Sequence, residues 1–196
     1  MVKSAFDSTA DARPGARIDG RYGDSMRAVL CKARGPPETL VVEEVPDPVP
    51  GPGQVLIDVK AAGVNFPDTL IIEKKYQFVP ELPFSPGGEV AGIVEAVGEG
   101  VTAFKPGDRV LAYSDAKLGA HAEFLLLPEA KAIAHIPDGV SFEDAATLCF
   151  GPCTALAFLR KTKVKRGDRV LVNGASGGVG SASVQLARHL GAAVTA

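Results

Sequence analysis

The chain has 196 residues, 46% of them hydrophobic, so it is long enough to bury a core in one or two globular domains. Its 21 basic and 23 acidic residues nearly balance, which argues against a nucleic-acid groove, and no apolar run reaches membrane-spanning length, which favours a soluble protein. Three cysteines are too few for a disulfide framework and indicate a reducing compartment, the cytoplasm.

Residues 1–25 differ from the remainder of the chain. They are polar, show no hydrophobic periodicity and mix arginines with aspartates. A signal peptide needs an apolar centre and a mitochondrial presequence is poor in acids, so neither fits. We expect either a disordered extension or sequence translated upstream of a natural start at Met26.

Short β-type segments separated by proline- and glycine-rich turns dominate the next part of the chain. The predicted strands are 26–32, 40–45, 55–64, 89–97, 110–113, 122–127 and 132–136. Asp68 is predicted to cap a short helix over 70–75, and Pro106-Gly107-Asp108 predicts a turn. Many short strands with turn signals at this spacing favour a small, irregular β-barrel.

Helical signals begin after this segment. Ser141 and Asp144 fit a capping box for a helix that ends near Leu148, and a second helix is predicted over 154–161. The boundary between two domains is therefore expected within about residues 140–165.

A glycine-rich turn follows a short apolar strand, 170–172, and precedes a helix-period segment. The apolar face of that helix is predicted to hold Val179, Ser183, Leu186 and Leu190. Gly191 stands where a left-handed helix cap belongs, and 193–195 reads as a second strand. Strand, glycine turn and helix in this order are typical of a dinucleotide fold, in which the helix N-terminus binds a diphosphate. A glycine-rich β-hairpin is the alternative, but it would not be followed by a helical period.

Four segments together resemble the quinone oxidoreductase branch of the medium-chain dehydrogenase/reductase superfamily. They are AAGVNFPD at 61–68, PFSPGGEVAG at 83–92, GAHAEF at 119–124 and GDRVLVNGASGGVG at 167–180. The resemblance implies a GroES-like β-barrel catalytic domain over 26–150, followed by the first βαβ portion of a Rossmann domain over 151–196. This is an α+β unit followed by the start of an α/β unit, and the resemblance places the active site in the cleft between the two domains.

The resemblance also allows zinc to be considered. Zinc alcohol dehydrogenases of this superfamily carry Cys where this chain has Asn65 and His where it has Gly88, and their third ligand lies near Cys149. Catalytic zinc needs three protein ligands, so no metal site is expected. Cys149 and Cys153 are interpreted as small buried packing residues.

Without zinc, the resemblance implies hydride transfer from a nicotinamide to an acceptor that is already conjugated, such as a quinone. The resemblance favours NADPH as the cofactor. NADH stays open, because the residue that discriminates them lies about 20 residues beyond the glycines, roughly at or beyond position 196. The cofactor-binding residues are predicted to be Thr154, Gly174, Ala175, Ser176, Gly177, Gly178, Val179 and Gly180.

Three residues are predicted to act on the acceptor. Asn65 donates from its amide to the acceptor's carbonyl oxygen, or alternatively bonds its own backbone in a turn. Asp68 combines a helix-cap role with a secondary role in the site. Tyr76 stacks on a ring or donates a proton, unless it is a surface tyrosine.

Thr154 contacts the nicotinamide or caps its helix, whereas His121 and Glu123 are interpreted as structural.

Two other functions stay open at this stage. One is an enoyl or enone reductase, including a module of a larger synthase, and the other is a non-catalytic truncated product. We expect a small-molecule electron acceptor as the partner, with neither nucleic acid nor membrane, and the full-length protein is expected to form a homodimer. Residues 1–196 alone are expected to bind a nicotinamide weakly and to aggregate, because strand 170–172 would have open edges.

Overall fold

The computed structural model describes residues 25–196, and the extension expected over 1–25 lies outside the described residues apart from Ser25. The chain forms two compact units that divide between Ala146 and Thr147, where the sequence predicted 150/151. Within residues 25–196, no helix is both long enough and apolar enough to cross a membrane.

The first unit is built on β-strands, as predicted. Five of them form one antiparallel sheet in the order β6-β3-β4-β5-β7, and β1 and β2 form a separate antiparallel pair. The strands are β1 (Ser25–Leu30), β2 (Val41–Pro46), β3 (Gln54–Ala62), β4 (Glu89–Val97), β5 (Arg109–Tyr113), β6 (Phe124–Pro128) and β7 (Ala132–His135). Register shifts between β3 and β4, at Leu56/Ile57 and at Val59/Ala61, bend the sheet at its centre.

The core of this unit lies on one face of the five-stranded sheet. Its alternating apolar residues are fully buried, among them Val55, Ile57, Val90, Val94 and Val110. A smaller cluster joins Ala91 to the helix α2 (Phe142–Ala146). The Ser141 hydroxyl accepts from Asp144 N–H at 3.0 Å, so the predicted serine cap of α2 is confirmed, although the helix is shorter than expected.

The helix α1 (Phe66–Ile72) differs from the prediction. Asn65, not Asp68, is its N-cap residue, and the helix therefore begins and ends earlier than 70–75. Pro67 is the physical reason, since proline fits the first helical turn, where its missing N–H costs nothing. Asp68 becomes the third helical residue, and its carboxylate accepts from Asn65 N–H at 2.7 Å.

The second unit has the strand–helix–strand order that the sequence predicted. Its elements are α3 (Gly151–Lys161), β8 (Arg169–Leu171), α4 (Gly178–His189) and β9 (Ala193–Thr195). β8 and β9 pair in parallel, with Val170 opposite Val194. Gly191 has φ +84°, so the predicted left-handed cap is confirmed. α3 begins earlier than the predicted residue 154, because Pro152 fits its first turn.

The buried face of α4 is displaced from the predicted one. Gly180, Ala182 and Ala187 are its buried residues, whereas Leu190 remains 37% exposed. The helix packs against α3, and Ala187 joins Leu159 of α3 in one apolar cluster. Small side chains on α4 allow the two helices to approach each other closely, whereas leucines at the same positions would hold them further apart.

The interpretation of two cysteines as buried packing residues is wrong. Cys149 is half-buried and Cys153 is exposed, while Cys31 is the buried thiol. Cys153 lies in the first turn of α3, on its exposed side. All three cysteines are free.

Candidate functional site

Most of the predicted site residues fall into two groups, one on each unit, and only Tyr76 and Thr154 lie outside them. The first group lies where β3 ends, where α1 and β4 begin and where β5 ends, and we call it the Asn65 cluster. It comprises Gly63, Asn65, Asp68, Glu89, Tyr113 and His121. The second is the glycine turn, residues 174–180, between β8 and α4.

Asn65 is held through its backbone and its side chain. Its N–H donates to Asp68 Oδ2 at 2.7 Å, which is one half of a capping box. Its side-chain Nδ2 donates to Glu89 Oε1 at 2.8 Å, across 24 positions of sequence. The carboxamide therefore contacts another element of the fold, and in the capping box the Asn65 side chain also accepts from the backbone of Asp68, as the local-backbone alternative expected. Its donation to an acceptor stays a prediction.

Asp68 is a buried carboxyl at the start of α1. Desolvation raises its pKa, because burial disfavours the charged form, while the hydrogen bond from Asn65 and the nearby His121 oppose that rise. The predicted helix-cap role is replaced by a role inside the first turn, where Asp68 supports the true cap residue.

His121 belongs to this cluster, although the sequence treated it as structural. Its Nε2 lies 3.2 Å from the carbonyl oxygen of Gly63. Its ring also occupies the space beside Gly87, where an added Cβ would lie 2.4 Å from the imidazole. Glu123 lies elsewhere and pairs with Arg27 at 3.1 Å, in accord with a structural interpretation.

Two tyrosines lie beside these groups. Tyr76 is half-buried and packs edge-on against Phe78, with ring centroids 5.4 Å apart, so it is more than a surface tyrosine. Tyr113 ends β5 and pairs with Glu89 across the sheet. Burial raises the pKa of Tyr113, and the charges of Asp115, Tyr76, Glu89 and Asp68 raise it further. Tyr113 therefore keeps its proton at neutral pH.

The residues at the superfamily's zinc positions do not suit a metal. Gly88 has no side chain, and an added Cβ would lie 3.3 Å from the ring of Tyr113. Asn65 supplies an amide that already bonds Glu89. Within the part of the chain that the structure describes, no three His, Cys, Asp or Glu side chains gather in a way that could hold a metal ion.

The glycine turn brings backbone amides to the surface. Gly177 is the N-cap of α4, and the first helical hydrogen bond runs from Ser181 N–H to Gly177 O at 2.8 Å. The N–H groups of Gly178, Val179 and Gly180 precede that bond, so they are the donors that a helix start leaves for a ligand. Gly178 is exposed and an added Cβ there would meet nothing within 4 Å, whereas Val179 is half-buried and Gly180 is buried.

The shape of the turn depends on Gly174 and Gly180. Gly174 has φ +73°, which favours glycine. An added Cβ on Gly180 would lie 2.1 Å from Gly174 O and 2.7 Å from the Cα of Ala175, so only glycine fits there. Ser176 and Gly177 are exposed between these two contacts. Gly174 and Gly180 thus give the turn a shape that is compatible with a diphosphate at the helix start, and the binding of a dinucleotide there stays a prediction.

Thr154 lies one turn inside α3. Its N–H donates to Phe150 O at 3.2 Å, and the N-cap position belongs to Phe150. The alternative that Thr154 caps its helix is therefore wrong. Its side chain is half-buried, and its contact with a nicotinamide stays a prediction.

Sequence reasoning missed Gly63, Glu89 and Tyr113. A signal for Glu89 was present, because it precedes the apolar run 90–94 of the same strand and an acidic side chain in a buried strand needs a partner. Gly63 and Tyr113 carry no such signal, since only the fold brings them to Asn65.

The alcohol dehydrogenase GroES-like domain family matches residues 51–138. Quinone oxidoreductase from Mus musculus is 44% identical over 170 residues, which are 85% of this chain and 50% of that protein. Pikromycin polyketide synthase component PikAII from Streptomyces venezuelae is 43% identical over 87% of this chain and 4% of its own length. The chain thus spans about half the length of the curated quinone oxidoreductases it matches.

Solved structures give the same result. A Pseudomonas syringae quinone oxidoreductase superposes with a TM-score of 0.80 at 42% identity, over 86% of this chain and 51% of that one. A mycobacterial protein complexed with NADPH gives 0.78 at 44% identity, over 87% and 52%. A cobalt- and zinc-bound alcohol dehydrogenase from Pyrobaculum aerophilum gives 0.78 at 34% identity, over 87% and 58%. These likenesses confirm the predicted GroES-like domain followed by the start of a Rossmann domain.

Proposed function

Because the chain belongs to the quinone oxidoreductase branch of the medium-chain dehydrogenase/reductase superfamily, we propose that the whole protein is an NADPH-dependent, zinc-independent quinone oxidoreductase. The observation that carries this proposal is the set of helix-start N–H groups at residues 178–180 of α4, which follow a turn in which Gly180 packs against Gly174 O. The likeness to a mycobacterial protein complexed with NADPH supports the choice of cofactor.

In this proposal the residues of the glycine turn hold the cofactor's diphosphate. The amides of Gly178, Val179 and Gly180 donate to it, and the dipole of α4 favours its negative charge. Thr154 contacts the nicotinamide ring. A bound nicotinamide supplies the hydride.

The Asn65 cluster orients and polarises the acceptor. An Asn carboxamide has two N–H groups, and one of them is used on Glu89. The second donates to the carbonyl oxygen on which charge develops, which is the stabilisation that a reduction without a metal requires. Tyr76 provides an aromatic face for a flat ring, and the exposed Val64 and Phe66 on either side of Asn65 add apolar surface.

Zinc independence is supported by the donor chemistry of the chain. Gly88 offers no ligand atom, so a three-ligand catalytic site cannot be assembled at the superfamily's positions.

We also propose that the full-length protein is a homodimer. Light scattering on the full-length protein measures its oligomeric state.

The test is NADPH consumption by the full-length protein with a panel of 1,2- and 1,4-quinones, before and after dialysis against a chelator. We expect saturable turnover that the chelator leaves unchanged. Loss of turnover after chelation, or turnover with alcohols alone, would contradict the proposal.

An enoyl reductase is the second candidate, favoured by the 43% identity to a polyketide synthase component. The same assay with an enoyl thioester and a simple enone separates the two functions. A kcat/KM at least tenfold higher for the thioester than for every quinone favours the enoyl reductase.

A further inference from the structure

Glu89 is a buried carboxyl group to which no role has been assigned above. It is the first residue of β4 and is only 3% exposed. Burying a carboxylate is costly unless hydrogen bonds compensate it. Its Oε1 accepts from Asn65 Nδ2 at 2.8 Å, which connects β4 to the residue that caps α1.

When Glu89 is ionised, the chemistry of the two groups allows only one orientation of the Asn65 carboxamide. An ionised carboxylate accepts hydrogen bonds and donates none. Turning the carboxamide by a half rotation would place Asn65 Oδ1 against Glu89 Oε1, and two acceptors repel each other. Glu89 therefore determines where the second N–H of the carboxamide points, and it favours the same orientation as the capping box, in which the Asn65 side chain accepts from the backbone of Asp68.

Gly63 makes room for this contact. An added Cβ there would lie 2.2 Å from Glu89 Oε1 and 2.6 Å from its Cγ. The φ of Gly63 lies outside the left-handed region, so its glycine is required by space and not by backbone conformation. Its N–H donates to the backbone oxygen of Glu89 at 3.0 Å, which holds the ends of β3 and β4 together.

We propose that Glu89 is a positioning residue that fixes the orientation of the Asn65 carboxamide at the acceptor oxygen, and that Gly63 provides the space for it. The role toward the acceptor rests on the proposed function, whereas the orientation of the carboxamide does not. Two measurements therefore test the two parts separately.

The orientation is tested by NMR on the ¹⁵N-labelled protein. The side-chain amide of Asn65 is assigned by its absence from the spectrum of Asn65→Asp, and its hydrogen-exchange rate is measured in wild type and in Glu89→Gln. The glutamine keeps the volume but replaces a charge-assisted hydrogen bond with a weaker, neutral one. We expect the exchange of the Asn65 amide to be about tenfold faster in the variant. Equal rates would overturn the proposal.

Gly63→Ala provides a second variant that removes no polar group. Its methyl group displaces the Glu89 carboxylate, so we expect the same roughly tenfold faster exchange of the Asn65 amide. Gly51→Ala is the matched control, because its added Cβ meets only the end of the Gln54 side chain, at 3.2 Å. It should leave the Asn65 amide unchanged. If Gly63→Ala folds and its Asn65 amide exchanges at the wild-type rate, the proposal that Gly63 provides the space for the Glu89 carboxylate is wrong.

The role in the reaction is tested by steady-state kinetics of the full-length protein. Glu89→Gln is expected to lower kcat by about tenfold while the KM for NADPH stays within about twofold, because only the acceptor's oxygen loses its oriented donor. A faster-exchanging amide together with an unchanged kcat would overturn the positioning role. A wild-type protein with no reductase activity but a protected Asn65 amide would refute the proposed function and still support the orientation by Glu89.

Discussion

The two units prepare their functional groups by different means. In the first, side chains from distant parts of the chain are fixed by buried hydrogen bonds, as between Asn65 and Glu89. In the second, glycines shape the turn before a helix start, as at the exposed Gly178 and at Gly180, which packs against Gly174 O. The first unit should therefore be sensitive to the loss of a polar atom, and the second to the gain of a methyl group.

The largest effect is expected in the second unit, from Gly180→Ala. The new Cβ would lie 2.1 Å from Gly174 O, and a backbone atom cannot move aside cheaply. We expect overpacking to lower the free energy of unfolding by about 3 kcal/mol, measured by calorimetry as a lower melting temperature. NADPH affinity should fall as well, because the displaced turn no longer holds its amides in place.

Gly178→Ala is the matched control for this prediction, since its Cβ would meet nothing within 4 Å. It should leave the melting temperature unchanged and reduce NADPH affinity only through contact with the diphosphate. If Gly180→Ala binds NADPH with wild-type affinity, the second unit is not sensitive to the gain of a methyl group, and this part of the comparison is wrong.

A medium effect is expected in the first unit, from Glu123→Gln. The carboxylate of Glu123 accepts from the N–H of Arg27 at 2.7 Å and from its guanidinium at 3.1 Å, and only 17% of its side chain is exposed. We expect a loss of about 1–2 kcal/mol in the free energy of unfolding, measured by urea denaturation.

Glu43→Gln provides the comparison, because its pair with Lys32 is exposed. We expect a change of no more than about 0.5 kcal/mol there. If both variants lose the same stability, burial does not strengthen the polar contacts of the first unit.

A smaller, pH-dependent effect is expected from Asp108→Asn. Hydrogen bonds from the Lys105 side chain and backbone lower the pKa of Asp108 from 3.8 to about 2. Because the pKa is lower in the folded state, the stabilisation is present above pH 3.8 and is lost as the pH falls through about 2. The difference in melting temperature between wild type and variant should shrink to nothing across this interval.

Salt gives a control for the Asp108 prediction, because the Lys105 side chain is 80% exposed and a high salt concentration screens its charge, although only 11% of the Asp108 side chain is exposed. In about 1 M salt the pH-dependent difference should be reduced. A difference that persists unchanged below pH 2 would show that the ionised carboxylate is not its cause.

The smallest effect is expected from Cys153→Ser. The thiol is exposed at the start of α3, so we expect a change within about 0.5 kcal/mol in unfolding free energy and no change in NADPH binding. Cys31→Ser, at a buried thiol, should cost more. Equal costs would contradict the exposure of Cys153.

Much of the fold was predictable from sequence, because its signals are local. The bounds predicted for β4 and β9 are confirmed to the residue. The glycine turn and the cap at Gly191 also follow from neighbouring residues and the backbone freedom of glycine. The N-cap of α1 was predicted wrongly because Asn65 and Asp68 are both good capping residues, and the position of Pro67 between them decides the helix start.

By itself, then, the sequence determined the strands, the turns and the row of helix-start amides at 178–180, because each depends on the conformational preferences of adjacent residues. Two turns of the same kind illustrate this, since Lys105 N–H donates to Asp108 and Lys165 N–H to Asp168, with a left-handed glycine in each. Only the tertiary structure decided which polar groups meet. Glu89 reaches Asn65, and His121 reaches Gly63, over 24 and 58 positions, and no local preference encodes contacts at such separations.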